Sequence, residues 1–105
     1  MTVPAIVCAV ITAVNQHDTD RFLSLFEEDG AVDDWGRVFS GRQEIRAWSD
    51  EELIGVDATF ELKSTEENGN VVSMDVVVDG EGFTGPSTFS FEMNGPLISN
   101  LKIRA

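Results

Sequence analysis

The chain has 105 residues, and its 7 Lys and Arg residues against 19 Asp and Glu residues give a formal net charge of −12 at pH 7. So acidic a surface repels phosphate backbones and anionic lipid headgroups, which argues against nucleic acid and membranes as partners. Because 42% of the residues are hydrophobic, we expect one folded domain, residues 1–105, with one modest core and room for a small-molecule cavity.

The N-terminal segment, Met1 to Val14, is apolar but has no basic region before it and is too short to span a bilayer. Its apolar residues follow the helical period, so we predict a core helix, with Thr2 as a possible N-cap. Cys8 lies within this helix and is expected to be a buried, unreactive thiol. Because Cys8 is the only cysteine, an intrachain disulfide is excluded and a reducing, cytoplasmic compartment is expected.

A second, shorter helix is predicted after Asp18, whose side chain is suited to cap its N-terminus. This helix is expected to carry Phe22 and Phe26 and to end at the Asp29-Gly30 pair. A short strand, residues 31–34, is predicted to follow it.

A third helix is predicted from the capping-box spacing of Ser40 and Gln43 to a C-terminus near Gly55. Beyond it the hydrophobic period changes to two, which predicts antiparallel strands within residues 58–62, 72–78, 89–93 and 97–103. The clusters at 66–69, 79–82 and 94–95 predict the turns between them. Helices in the first half and strands in the second indicate an α+β domain whose sheet curls around three helices and encloses a pocket. The outer sheet face is more polar, and it either contacts water or pairs with a second subunit.

Several segments then resemble a known family: Leu25-Phe26-Glu27-Glu28-Asp29, the acidic strand Ala31-Val32-Asp33-Asp34, and the run from Ser40 to Trp48. Together they resemble the SnoaL-like branch of the NTF2-like superfamily. The resemblance extends over nearly the whole chain. It implies a cone-shaped α+β fold with a curved antiparallel sheet around a deep cavity, and commonly a homodimer. Members include ketosteroid isomerases, polyketide cyclases, epoxide hydrolases and dehydratases, so the fold fixes the place of the site better than its chemistry.

Comparison with the ketosteroid isomerases of this superfamily places their general-base aspartate on Asp34. The strand period agrees, because Val32 and Asp34 share one face, which the apolar Val32 marks as the interior one. Asp33 is then expected to point to solvent. The alternative role of Asp34 is structural: it caps the turn at residues 35–37 or pairs with Arg37.

The resemblance to the isomerases breaks down at their two carbonyl-polarising groups, a tyrosine and a protonated aspartate. The matching positions hold Val10 and Ser87, and the chain contains no tyrosine. A base without donors aimed at the developing oxyanion lacks the electrostatic stabilisation that usually contributes most to catalysis. These departures argue against ketosteroid isomerisation itself and favour binding or a different reaction.

The ligand-binding residues that we predict are mainly aromatic, because large rings line pockets for flat apolar molecules. Trp35 and Trp48 are expected near the mouth, and Phe89 and Phe91 on the inner face of the sheet. Arg37 either binds a ligand carboxylate or oxyanion or makes a surface ion pair, and Trp48 is alternatively a core residue. The predicted site therefore comprises Asp34 as the catalytic residue and Val10, Trp35, Arg37, Trp48, Ser87, Phe89 and Phe91 as ligand contacts.

No zinc spacing, phosphate-binding glycine loop or dinucleotide fingerprint occurs in the sequence, so no metal or cofactor is expected. The Asp50-Glu51-Glu52 run is interpreted as a solvated helix face. We predict a cytoplasmic, homodimeric protein that binds a small hydrophobic carbonyl compound, polyketide-like or steroid-like. Asp34 then catalyses cofactor-independent proton transfer; alternatively, the domain binds without turnover or serves only in dimerisation.

Overall fold

The computed structural model describes residues 3–104, in which a six-stranded sheet packs against three helices. The helices are α1 (Ala5–Asn15), α2 (Thr19–Ser24) and α3 (Arg42–Glu52), and a 3₁₀ turn (Ile54–Val56) follows α3. The strands are β1 (Phe26–Asp34), β2 (Arg37–Ser40), β3 (Thr59–Asn68), β4 (Val71–Asp79), β5 (Thr84–Asn94) and β6 (Leu97–Arg104). Their order in the sheet is β2-β1-β6-β5-β4-β3.

The predicted α+β cone is confirmed, with one difference in strand direction. β3 to β6 form an antiparallel meander, and β1 pairs antiparallel with β2. β1, however, runs parallel to β6, so the sheet is mixed and not wholly antiparallel as expected. This pairing brings the first hairpin of the chain against the last strand, and it places Asp34 directly opposite Ile103.

Helix α1 packs on the sheet through one face only, on which Val7, Val10 and Val14 are fully buried. The prediction that Cys8 is buried is wrong, because its side of α1 is exposed and the contacts of this helix are with α2 and β3. The helix end is fixed by Asn15, whose side chain exchanges two hydrogen bonds with the backbone of Phe60. The proposed N-cap Thr2 lies outside the described residues.

The second helix ends earlier than the sequence pattern predicts. It stops at Ser24, and Phe26 already begins β1, where it pairs with Ile98 and packs edge-on against Phe22 at 5.3 Å between ring centroids. The β1–β6 pairing shifts register between Phe26 and Ala31. Gly30 lies in this irregular stretch, where a Cβ atom would stand only 3.1 Å from the carbonyl oxygens of Glu27 and Ile98. Strand pairing thus overrides the helical spacing of residues 22–26.

Strand β2 was not predicted, since its four residues are mostly exposed and carry no alternating pattern. A two-residue turn, Trp35-Gly36, joins it to β1, and both turn residues have positive φ, as a type I′ hairpin turn requires. The N-cap of α3 is Gly41, one residue after the predicted Ser40, and the Glu44 side chain accepts from the Ser40 backbone N–H.

The meander follows the predicted strands closely. β3 extends to Asn68, so its hairpin turn is formed by Gly69 and Asn70, later than the predicted cluster at 66–69. The alternate residues of the inner face build the core together with α1 and α3, among them Phe60, Met74, Phe89 and Leu101. No helix among residues 3–104 is long and apolar enough to span a membrane.

Candidate functional site

A cavity of about 290 Å³ opens between the β1–β2 turn, the C-terminal end of α3 and the inner face of the sheet. Its apolar wall includes Trp48, Leu53, Val78, Phe89 and Ile103, and Trp35 and Phe83 also line it. Its polar lining comprises Asp34, Arg37, Glu51, Glu52 and Ser87. The volume is at the lower end of the range usual for ligand pockets, about 300–1,000 Å³.

The Asp34 side chain is 14% exposed, less than the 35% of Glu52, the other carboxylate that pairs with Arg37 at the cavity. Its Oδ2 accepts hydrogen bonds from Trp48 Nε1 at 3.1 Å and from Arg37 Nη2. Its other oxygen, Oδ1, accepts no hydrogen bond from the described residues. Asp34 therefore points inward, and it also pairs with Arg37 as the structural alternative predicted.

Asp33 lies on the opposite face of β1, as the strand period predicts, but it is not simply solvated. Its carboxylate meets the Arg104 guanidinium at 3.3 Å, and its Oδ1 accepts from the Gly36 backbone N–H at 2.8 Å. These hydrogen bonds, that of Arg104 foremost, hold the pKa of Asp33 below its ordinary value. The cap of the 35–37 turn is therefore Asp33 and not Asp34.

Arg37 bridges two of the carboxylates at the cavity. Its guanidinium donates two hydrogen bonds to Glu52, at 2.9 and 2.6 Å, and a third to Asp34. The pKa of Arg37 is raised above its ordinary value, chiefly by the hydrogen bonds to Glu52. Of the two predicted roles, the ion pair is the one that the structure contains, and this pairing leaves few Arg37 donors for a ligand anion.

The two tryptophans play different structural parts. Trp48 is 3% exposed and stacks at a tilt on Phe39, with 6.2 Å between ring centroids, while its indole N–H reaches Asp34. Trp35 is 61% exposed and has a φ of 55° at the tip of the hairpin. A bulky side chain rarely adopts this left-handed conformation, and turns of this type favour Asn, Asp or Gly.

The remaining predicted contacts divide into those at the cavity and those away from it. Ser87 and Phe89 line the cavity, and Ser87 Oγ donates to the Arg104 carbonyl at 3.1 Å. Val10 and Phe91, which we also expected at the ligand, are fully buried core residues and do not line the cavity. Val10 on α1 and Phe91 on β5 belong to the packed core, whereas the cavity lies between the β1–β2 turn, the end of α3 and the β4–β5 loop.

Seven lining residues were not among the predicted site residues: Glu51, Glu52, Leu53, Val78, Gly82, Phe83 and Ile103. Glu51 and Glu52 were interpreted as a solvated run, although Glu52 stands four residues after Trp48 and so shares its helix face. Phe83 lies in the loop between β4 and β5, where no periodic pattern marks it. Among residues 3–104, no three His, Cys, Asp or Glu side chains are grouped to hold a metal ion.

The sequence and fold were compared with known proteins. Residues 7–100 match the sequence profile of the SnoaL-like domain. No curated protein matches the chain significantly in sequence.

Solved structures of similar fold share low sequence identity with the chain. A protein of Sinorhizobium meliloti, provisionally assigned as a polyketide cyclase, superposes with a TM-score of 0.84 at 24% identity, covering 97% of this chain and 95% of that one. A protein of Catenulispora acidiphila with a ketosteroid isomerase-like fold, in complex with trimethylamine, gives a TM-score of 0.84 at 23% identity, covering 99% of this chain and 87% of that one. Rv0760c of Mycobacterium tuberculosis, in complex with estradiol-17beta-hemisuccinate, gives 0.83 at 20%, covering 99% and 95%.

Proposed function

Because the chain belongs to the SnoaL-like domain family, we propose that it binds a small, mainly hydrophobic carbonyl compound, polyketide-like or steroid-like, in the cavity beside Asp34. Asp34 acts there as the general base that takes up a proton from the bound compound, and no cofactor takes part. The position of Asp34 carries this proposal. Its Oδ2 is held by Trp48 and Arg37, while Oδ1 accepts no hydrogen bond from residues 3–104 and so is open to a substrate proton.

The cavity wall supports the hydrophobic part of this proposal. Ligand pockets are mostly apolar, with a few polar groups that fix the orientation of the ligand. Here Trp48, Leu53, Val78, Phe89 and Ile103 form such a wall. Two structural neighbours hold small molecules, a steroid ester in Rv0760c and trimethylamine in the Catenulispora protein, which agrees with a small-molecule site in this fold.

Binding without turnover is the second candidate function, and the donors of the cavity favour it. Acyl or enolate chemistry needs hydrogen-bond donors aimed at the oxyanion that develops. Trp48, Ser87 and Arg37 each already donate to protein groups, namely Asp34, the Arg104 carbonyl, and the Glu52 and Asp34 carboxylates. The expected homodimer and the cytoplasmic location stay predictions, as does a purely structural dimerisation role.

Binding is tested by a thermal-shift screen of hydrophobic carbonyl compounds at several pH values. Compounds that enter the cavity should raise the Tm of the wild type and raise that of Phe83→Ala less, because Phe83 is 52% exposed and contributes wall area without supporting the core. If no compound raises the Tm of the wild type, the binding proposal is overturned.

Proton transfer is tested on the compounds that bind, by NMR measurement of deuterium exchange at the carbon next to the carbonyl. Asp34→Asn should slow this exchange by about 100-fold or more, since general-base groups contribute on that scale. Asp33→Asn is the matched control: it removes the neighbouring carboxylate from the other face of β1 and should leave the exchange rate nearly unchanged. Equal exchange by Asp34→Asn and wild type would contradict the base role; binding without exchange in the wild type would establish the second candidate.

A further inference from the structure

The charge on the cavity lining is strongly one-sided. Asp34, Glu51 and Glu52 provide three carboxylates, and Arg37 is the one cation among the described lining residues, which leaves a formal charge of −2. The whole chain adds to this bias with its net charge of −12. A concave site of one charge sign concentrates ligands of the opposite sign and repels those of its own.

The single cation offsets this bias only in part, because three of the five N–H groups of Arg37 already donate to carboxylates of the protein. Both terminal nitrogens of Arg37 donate to Glu52, and one of them also donates to Asp34. A ligand carboxylate that approached the remaining Arg37 N–H groups would also meet the Glu52 and Asp34 carboxylates, which repel it. By contrast, exposed Glu51 makes no hydrogen bond or ion pair with the described residues, and Asp34 Oδ1 is equally unengaged.

Two exposed aromatic side chains line the same cavity as these unengaged oxygens. Trp35 and Phe83 line the cavity while 61% and 52% exposed, so their faces are accessible to a ligand. The faces of Trp and Phe rings attract cations, with Trp the stronger of the two. Trp35 occupies a left-handed turn position that disfavours a large side chain, and such conformations are enriched at functional sites.

We propose that the cavity selects ligands that carry a protonated amine on a small hydrophobic skeleton. The ammonium group lies against Trp35 and the Glu51 carboxylate at the mouth, and the skeleton lies on the apolar wall formed by Trp48, Leu53 and Phe89. This inference rests on the proposed binding function and narrows its ligand class to carbonyl compounds that also bear a basic amine. Anionic ligands are disfavoured by the same charges.

Three probes with one ring skeleton test the proposal: cyclohexylmethylamine, cyclohexylmethanol and cyclohexanecarboxylate. Their Kd values are measured at pH 7 by NMR titration of the indole N–H signals of the two tryptophans. The amine should bind at least about tenfold more tightly than the alcohol, and the carboxylate should bind more weakly than both. Added salt should weaken the amine complex and leave the alcohol complex nearly unchanged.

Two variants locate the charge recognition. Glu51→Gln should weaken amine binding about threefold to tenfold without changing alcohol binding, and Trp35→Leu should weaken amine binding more than alcohol binding. Glu67→Gln, an exposed acid near the far end of β3, is the matched control and should change neither. Equal affinity for amine and alcohol, or an amine affinity unaffected by both variants, overturns the amine proposal alone. If none of the three probes binds, the amine proposal is also overturned, whereas the proposed binding function is judged separately by the thermal-shift screen of carbonyl compounds.

Discussion

Asp33 and Asp34 are adjacent in the sequence, yet they contact different groups on opposite faces of β1. The alternation of side chains along a strand predicted this divergence, because it depends only on local geometry. Their partners could be predicted only in part. Arg37 lies three residues from Asp34 and was foreseen, whereas Arg104 reaches Asp33 only because β6 pairs beside β1.

Ser49 carries a buried hydroxyl group that is unpaired in the described structure. Its side chain is fully buried in α3, and its hydroxyl has no hydrogen-bond partner among residues 3–104. An unpaired buried hydroxyl destabilises a protein by about 1–3 kcal/mol. We therefore expect Ser49→Ala to raise the free energy of unfolding, by up to about 1 kcal/mol, with alanine's higher helix propensity contributing to the gain.

Urea unfolding measures this effect, and Ser87→Ala is its matched control. The Ser87 hydroxyl is also buried, but it donates to the Arg104 carbonyl, so its removal should lower the free energy of unfolding by about 1 kcal/mol. A loss of stability in both variants would mean that the Ser49 hydroxyl has a partner in solution.

The helices and strands with a clear hydrophobic period were predicted from the sequence, and the strands that depend on pairing with a distant segment were not. α1, α3 and the meander follow sustained periods of 3.6 or two residues, which act within one segment. β1 begins at Phe26 and pairs with β6, a segment distant in the sequence, and β2 is held in the sheet by its pairing with β1. The cavity reflects the same division, since Val10 and Phe91 are buried in the core as their periods predict, but neither lines the cavity.

The junction between α3 and its following 3₁₀ turn depends on Gly55. A Cβ atom on this residue would stand 1.6 Å from the Asp50 carbonyl oxygen, a backbone atom that cannot move away without unwinding α3. We expect Gly55→Ala to lower the free energy of unfolding by about 2 kcal/mol or more, and the Tm by about 10 °C.

Calorimetry of Gly55→Ala beside Gly82→Ala checks this expectation. A Cβ on Gly82 would meet only the Val56 side chain at 3.6 Å, which is an ordinary contact. Gly82→Ala should therefore leave the Tm within a few degrees of the wild type. Similar Tm values for both variants would contradict the close approach at Gly55.

At the scale of the whole molecule, several of the many carboxyl groups accept hydrogen bonds that make the stability of the fold depend on pH. The pKa of Asp33 is lowered, first by its hydrogen bonds to Arg104. The pKa of Glu61 is lowered by Lys63, and that of Asp75 by hydrogen bonds from Thr88 and Ser64. A carboxyl whose folded pKa lies below its unfolded value stabilises the fold above the unfolded value. That contribution is lost as the pH falls through the folded pKa.

For Asp33 this linkage gives a signed prediction. Above about pH 4, the usual range of an aspartate pKa, wild type should be more stable than Asp33→Asn, and the difference should narrow as the pH is lowered further. Urea unfolding of both proteins between pH 7 and pH 3 measures the difference. When Arg104→Gln is added to both proteins, their stability difference should change less with pH. If it changes as much as before, Arg104 is not the main cause of the lowered pKa of Asp33.

The pairing of β1 with β6 joins segments that are far apart in the sequence, whereas each hairpin of the meander joins neighbouring strands. Closing so long a loop restricts more chain entropy, and contacts of this kind slow folding. Asp34 and Ile103 pair between β1 and β6, and both line the cavity. The cavity therefore forms only once β1 and β6 are paired: during synthesis it cannot be complete until β6 has emerged and docked.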